Sequence, residues 1–283
     1  ILLLIGLVQL IKDIQANNLV DFFKRTGVLI LAALLASGTS FTRLATTMEY
    51  GKDSTRGKSE LTDNIDNKTT GLDKDYATQW SYGITESFTL LIPNFYGGAS
   101  QGSLSENSET YQAIKRSPNA KKLIKQLPLY WGDQPIVSGP TYAGSIVIFL
   151  FFLGLFFVKS KMRIWLIIAT ILSLMLAWGK NFMPLTDFFL DYFPGYNKFR
   201  AVSMILIIAE FTIPLLGFLA LNKFLISKHS ELEKKKPLQL AFYLSGGLCV
   251  FFALFSSLFF DFVGLQDINL EKNGWPIDPL QSD

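Results

Sequence analysis

Glu210 is the residue in this chain best placed to do chemistry, because it stands mid-way along an otherwise apolar stretch, AVSMILIIAEFTIPLLGFLAL. An ionisable group at that depth of a bilayer costs at least ~2.5 kcal/mol and by default marks an ion path or a proton relay. Ser203, Glu210 and Gly217 recur every seven residues, so they are expected on one helix face, turned toward the interior of a bundle. Pro214, four residues on, is expected to open the backbone locally. The alternative role is structural, a carboxyl hydrogen-bonded to a neighbouring helix, with Arg43 as its candidate partner. A second set is cationic: Lys180, Lys198 and Arg200 lie close together in a short polar segment. Arg grips a phosphate with two parallel bonds and Lys acts as a point charge, so the three form a candidate site for a lipid-linked phosphate. The alternative is that they reach to lipid headgroups and only anchor helices. The third set is the carboxylates Glu49, Glu60, Glu86, Asp133, Asp187 and Asp191. Any of these has the chemistry of a general base or a metal ligand, and their sequence context does not rank them against plain solvating roles.

Several chemistries are excluded by count. With one Cys (Cys249) and one His (His229), the chain forms no internal disulfide and builds no Cys/His zinc site. His229 sits in a lysine-rich turn remote in sequence from the long polar segment, which argues against a Ser-His-Asp triad. Cys249 lies in an apolar run and reads as a packing residue. There is no phosphate-binding glycine loop, the basic turns are too short to read nucleic acid, and no cofactor is indicated. A divalent metal on the loop carboxylates stays open.

The elements that must position these groups are apolar runs at 27–46, 141–158, 163–179, 201–222 and 238–260, with a shorter one at 1–11. A membrane span needs ~20 apolar residues, and charged residues are only 17% of the chain. The expected fold is therefore an all-α, polytopic transmembrane bundle. Residues 1–46 form two helices, the first truncated, around a cytoplasmic turn, and 47–140 form a long extracytoplasmic loop. Residues 141–260 form four more helices with an interfacial segment at 180–200, and 261–283 form an outer tail. The basic clusters Lys12–Arg25, Lys159–Arg163 and Lys223–Lys236 then all fall on one side, as short cytoplasmic loops should. The outer loop is expected to fold as a mostly helical cap, with Ala77–Leu91 as one amphipathic helix. A short helix over Leu185–Phe193 is expected to carry Asp187 and Asp191 on one face. Ala32, Ala36 and Ser40, and likewise Ser245, Gly246 and Gly247, offer small surfaces for close helix packing.

The stretches STRGKSELT (54–62), ATQWSYGITESFTLLIPNFYGG (77–98), LYWGDQPIVSGPTYAG (129–144), MLAWGKNF (175–182) and FPGYNKFRAVSM (193–204) resemble the YfhO family of bacterial membrane proteins, in its Bacteroidetes branch. That family is similar to the GT-C class of polytopic glycosyltransferases. The resemblance implies a multi-pass protein of the bacterial inner membrane, using a polyprenyl-linked sugar as donor and a cell-envelope glycan as acceptor. It also implies a catalytic Asp in a first outer loop, which is expected to precede this chain, taken as a fragment. Arg200, Lys198 and Lys180 become the expected binders of the donor phosphate. A transporter, with Glu210 and Pro214 at a midplane site, and a non-enzymatic envelope scaffold are the alternatives.

Overall fold

The computed structural model describes residues 2–57, 68–227, 230–272, 274 and 278. Among these the chain is mostly helical and contains no strand beyond two isolated bridges. It divides into two compact units, Ile1–Gln79 with Ser160–Ala209, and Trp80–Lys159 with Glu210–Asp283. The long polar loop is therefore shared between both units. In chain order the first seven α-helices are α1 (Leu2–Gln15), α2 (Leu19–Thr39), α3 (Phe41–Lys52), α4 (Lys74–Ala77), α5 (Glu109–Ile114), α6 (Ala120–Leu123) and α7 (Ser145–Phe157). They are followed by α8 (Lys161–Ala177), α9 (Met183–Tyr192), α10 (Leu206–Ile226), α11 (Glu231–Phe259) and α12 (Leu265–Lys272).

The first unit holds α1 to α4 together with α8 and α9. The apolar run 27–46 is not one helix. Ser40 leaves helical geometry, and the segment splits there into α2 and α3. Helix α2 buries none of its residues: Val28, Leu29, Ile30, Leu31, Leu34 and Leu35 are between 57% and 69% exposed. Residues Ala32, Ala36 and Ser40 are exposed as well, so this small-residue row is not buried against another helix among the described residues. Helix α8 buries Leu166, Ala169, Thr170, Ser173, Leu176 and Ala177, a stripe with the 3.6-residue period of an amphipathic helix. It starts at Ser160, whose hydroxyl accepts the Arg163 N–H at 3.3 Å. The run 163–179 is covered to Ala177 by the one helix α8, and the chain then bends by 114° between Lys161–Ala177 and Gly179–Tyr192. Gly179 has φ +46°, and its carbonyl accepts the Thr186 hydroxyl at 2.9 Å, which holds the bend. The helix expected at Leu185–Phe193 is present as α9, with Pro184 in its first turn, where a missing N–H costs nothing.

The second unit contains α5, α6 and α7, then α11 and α12. Helix α10 runs across the boundary between the units, which falls after Ala209. The expected amphipathic helix over Ala77–Leu91 does not form. Helix α4 stops at Ala77, and a separate 3-10 turn occupies Thr85–Leu90. The physical reason is local: the Gly83 N–H donates to the Glu86 carboxylate at 2.9 Å, which starts a new turn instead of continuing the old one. The cap is therefore less helical than expected. Its loops are tied by backbone pairs, Gly98 N–H to the Leu129 carbonyl at 3.1 Å and Gly102 N–H to the Leu127 carbonyl at 2.8 Å. Gly97, at φ +77°, is required here, because a Cβ would stand 1.8 Å from the Leu129 carbonyl oxygen. An aromatic cluster joins the cap to α11: Phe88 and Phe95 lie 4.7 and 4.8 Å from Phe252, and Phe95 lies 5.5 Å from Phe260, centroid to centroid.

Two helical stretches, Val202–Ile226 and Leu232–Phe259, are long and apolar enough to cross a membrane. The expected span 141–158 is the 13-residue helix α7, about 20 Å long and shorter than the ~30 Å hydrocarbon layer. The cytoplasmic turn expected at 223–236 is shorter than drawn, because α11 begins at Glu231. Its start is a capping box: the Ser230 hydroxyl accepts the Glu233 N–H while the Glu233 carboxylate accepts the Ser230 N–H. The S-x-x-E spacing is visible in the sequence, but apolarity, which marks contact with lipid, does not mark where a helix begins. His229, Glu60 and Trp275 lie outside the described residues.

Candidate functional site

In the first unit, segment 180–200 folds against Arg56 and residues 70–77. Asn197 is the pivot. It is buried, its amide donates to the Thr70 hydroxyl at 2.8 Å and to the Leu190 carbonyl at 3.2 Å, and its carbonyl accepts the Leu72 N–H at 2.8 Å. Gly71 permits this approach, because a Cβ there would come 2.2 Å from the Asn197 carbonyl oxygen. Leu72, Ala77 and Leu190 close the small core beneath, with Tyr196 against it. Burial pushes the Tyr196 hydroxyl up to about 12.

The cations sit around this pivot. The Lys198 ammonium donates to the carbonyls of Thr70 at 2.6 Å and Arg56 at 2.9 Å. Arg200 is exposed, its guanidinium lies 4.7 Å over the Tyr76 ring, and it donates to the Tyr76 hydroxyl. Arg56 lies 6.0 Å over the Phe199 ring. Lys74 forms an ion pair with Asp187 at 2.6 Å. The result is a face with Arg56, Lys198 and Arg200 held in fixed places beside an apolar ring, directly before the apolar stretch Val202–Ile226. Ala201, next to Arg200, has φ +67°, a left-handed conformation that costs a non-glycine residue roughly 1–2 kcal/mol. Lys180 is exposed in the 3-10 turn Gly179–Phe182. Asp187 and Asp191 share α9 as expected, but Asp187 neutralises Lys74 whereas Asp191 is exposed. The sequence reading misses Arg56 and Tyr76 because nothing local distinguishes them. Their partners, Lys198 and Arg200, stand 142 and 124 residues further along the chain.

In the second unit the buried polar centre is Glu86, 3% exposed. One carboxylate oxygen accepts the Gly83 N–H at 2.9 Å. The other accepts the Tyr130 hydroxyl at 2.9 Å and the Gln134 amide at 3.0 Å. Burial raises the affinity of this carboxyl for its proton, those three donors partly oppose the effect, and the exposed Asp133 adds to it. Burial also holds Tyr130 and Tyr82 well above the ordinary phenol range, with the Glu86 charge adding to both. Tyr96 stacks on Trp131 at 3.8 Å and bonds to the Thr85 hydroxyl. Every donor around Glu86 is turned inward, so this arrangement is built to hold the cap together. Among the described sequence candidates, Glu86 is the one the fold buries, while Asp133 stays exposed.

Glu210 is exposed on α10, which corrects the expectation that it faces a bundle interior. Two causes are visible. Val202–Ile205 is a 3-10 turn, so Ser203 leaves the α-helical register that would align it with Glu210 and Gly217. Helix α7 is also too short. A Cβ at Gly217 would meet Leu150, and Phe157 meets Phe224, so α7 and α10 run in parallel. The α7 partner of Glu210 would precede Ser145, where the helix has not begun. Arg43 is exposed on α3. Among the described residues no three of His, Cys, Asp or Glu converge as a metal site.

No family model, curated protein or solved structure matches this chain.

Proposed function

We propose that this chain is part of a multi-pass inner-membrane protein of the YfhO type. In this reading it is glycosyltransferase-like, moving sugar from a polyprenyl-phosphate carrier to an envelope glycan on the outer face. Arg200 holds the donor phosphate, helped by Lys198 and Lys180. The observation that carries the reading is the guanidinium of Arg200, oriented by Tyr76 at the start of an apolar membrane-length helix. A lipid-borne phosphate ester meets a protein at that level, and an oriented guanidinium binds it without first being ordered. The left-handed Ala201 beside it is consistent with strain kept at a working site. The exposed apolar surface of α2 supports further contact with lipid or with neighbouring helices.

The test is sugar transfer in membranes at several donor concentrations. Arg200→Ala removes up to two charge-assisted bonds, so donor use should fall by roughly 10²-fold. Arg200→Lys should recover part of it, and Tyr76→Phe, which keeps the ring, should cost less than Arg200→Ala. An unchanged donor dependence in Arg200→Ala makes Arg200 only a helix anchor.

The multi-pass arrangement has its own test. In a Cys249→Ala background, Ser105→Cys should react with an impermeant thiol reagent from outside, in spheroplasts if an outer membrane is present. Lys235→Cys should react only once the membrane is opened; both positions are exposed. Labelling of both from the same side removes the topology.

One observation favours a second reading, transport. A helix broken by 114°, as at Trp178–Gly179, is a feature of substrate sites in transporters. Solute uptake that is lost with Glu210→Gln, in cells whose surface glycans are unchanged, would select that reading.

A further inference from the structure

We propose that the end of the second unit opposite its cap binds the phosphate headgroup of an anionic membrane lipid. A cavity of about 420 Å³ there is lined by Lys159 after α7, Lys223 near the end of α10, and Lys236 in the early turns of α11. Phe156, Phe157, Pro237 and Leu240 form its apolar walls. Three elements far apart in sequence thus bring three ammonium groups to one hollow. Among the described residues Glu233 is the one carboxylate in the lining, and it is engaged in capping α11 through Ser230, so the described lining keeps a positive balance.

One of the lining cations, Lys223, rests on a ring. The Lys223 ammonium lies 5.6 Å over the Phe157 ring, and the nearby Lys234 lies 5.3 Å over Phe224. A ring orients an ammonium without neutralising it, which leaves its charge for an incoming anion. The first turn of α11, a 29-residue helix, adds its positive dipole end. The position selects the source of the anion. Lys223 and Lys236 lie near the ends of the two membrane-length helices, where headgroups would lie and acyl chains would run along Phe156 and Leu240. A free phosphate would use the lysines and leave the apolar walls unused.

The chain in neutral detergent micelles should be titrated with phosphatidylglycerol, phosphatidylcholine or inorganic phosphate, and bound lipid counted by native mass spectrometry. Phosphatidylglycerol should be preferred over phosphatidylcholine. In Lys223→Gln with Lys236→Gln that preference should fall about tenfold, the order expected when charged bonds to a phosphate are lost. Lys161→Gln with Lys235→Gln carries the same charge change on exposed lysines outside the cavity and should keep the preference. Lys223→Arg with Lys236→Arg should keep it too, which separates lost charge from lost fold. Equal losses in both glutamine pairs, or no loss in the cavity pair, would show that no specific site exists. Displacement of phosphatidylglycerol by equimolar inorganic phosphate would assign the hollow to a free anion and overturn the lipid.

Discussion

Glu86→Ala is expected to loosen the cap of the second unit and to lower its melting temperature by roughly 5–10 °C. The substitution leaves the Gly83 N–H, the Tyr130 hydroxyl and the Gln134 amide without their shared acceptor in a site that is 3% exposed. A buried polar group deprived of its partner costs about 1–3 kcal/mol, so three together make a loss of roughly 3 kcal/mol or more. Trp131, next to Tyr130 in sequence and stacked on Tyr96, supplies the fluorescence signal for the melt. Limited proteolysis should cut between residues 98 and 137 sooner than in the parent. The carboxyl also makes a pH prediction. Burial raises its proton affinity in the folded cap above the ordinary value of 4.5. The folded state then binds more protons than the unfolded one, so the Glu86 contribution to stability is fully present below about pH 4.5. It is lost as pH rises through the raised folded value. Glu86→Gln cannot ionise. It should be less stable than the parent at low pH, where its amide faces the Gly83 donor, and should lack this part of the slope. A Gln variant with the parent slope would show that Glu86 does not titrate there.

Gly154→Leu is expected to separate α7 from α10. A Cβ at Gly154 would already stand 2.7 Å from Leu216 Cγ and 3.0 Å from its carbonyl oxygen. Across the same contact, a Cβ at Gly217 would be 3.1 Å from Leu150 Cβ and 3.4 Å from the Val147 carbonyl oxygen. Leu216 can turn its side chain, but the backbone behind it cannot yield without moving the helix. Overpacking costs typically 1–3 kcal/mol, and a leucine side chain at this spacing belongs at or beyond the upper end. Unfolding in mixed micelles, followed by helical circular dichroism, should read a loss of about 3 kcal/mol. Gly246→Leu is the contrast. A Cβ at Gly246 meets nothing within 4 Å, so its effect should stay within about 0.5 kcal/mol. If Gly246→Leu proves the more damaging, the close helix contact of this protein lies on α11 and not between α7 and α10.

What could be read from the residues alone was what depends on short windows. The membrane-length stretches Val202–Ile226 and Leu232–Phe259 were legible because a bilayer span depends only on length and apolarity. The α9 helix with Asp187 and Asp191 on it was legible because the i, i+4 spacing is local. Tertiary structure decided the rest. It chose Glu86 among the five candidate carboxylates that are described by bringing Tyr130 and Gln134 to it across 44 and 48 residues. It left Glu210 uncovered because α7 begins too late to reach it, and made Gly154 and Gly217 the packing glycines instead of the small row on α2. It set Arg200 on Tyr76 and gathered Lys159, Lys223 and Lys236 around one hollow. A sequence window records which side chains favour lipid or water. Which charge meets which partner depends on where distant backbone segments close, and that is a property of the packed chain.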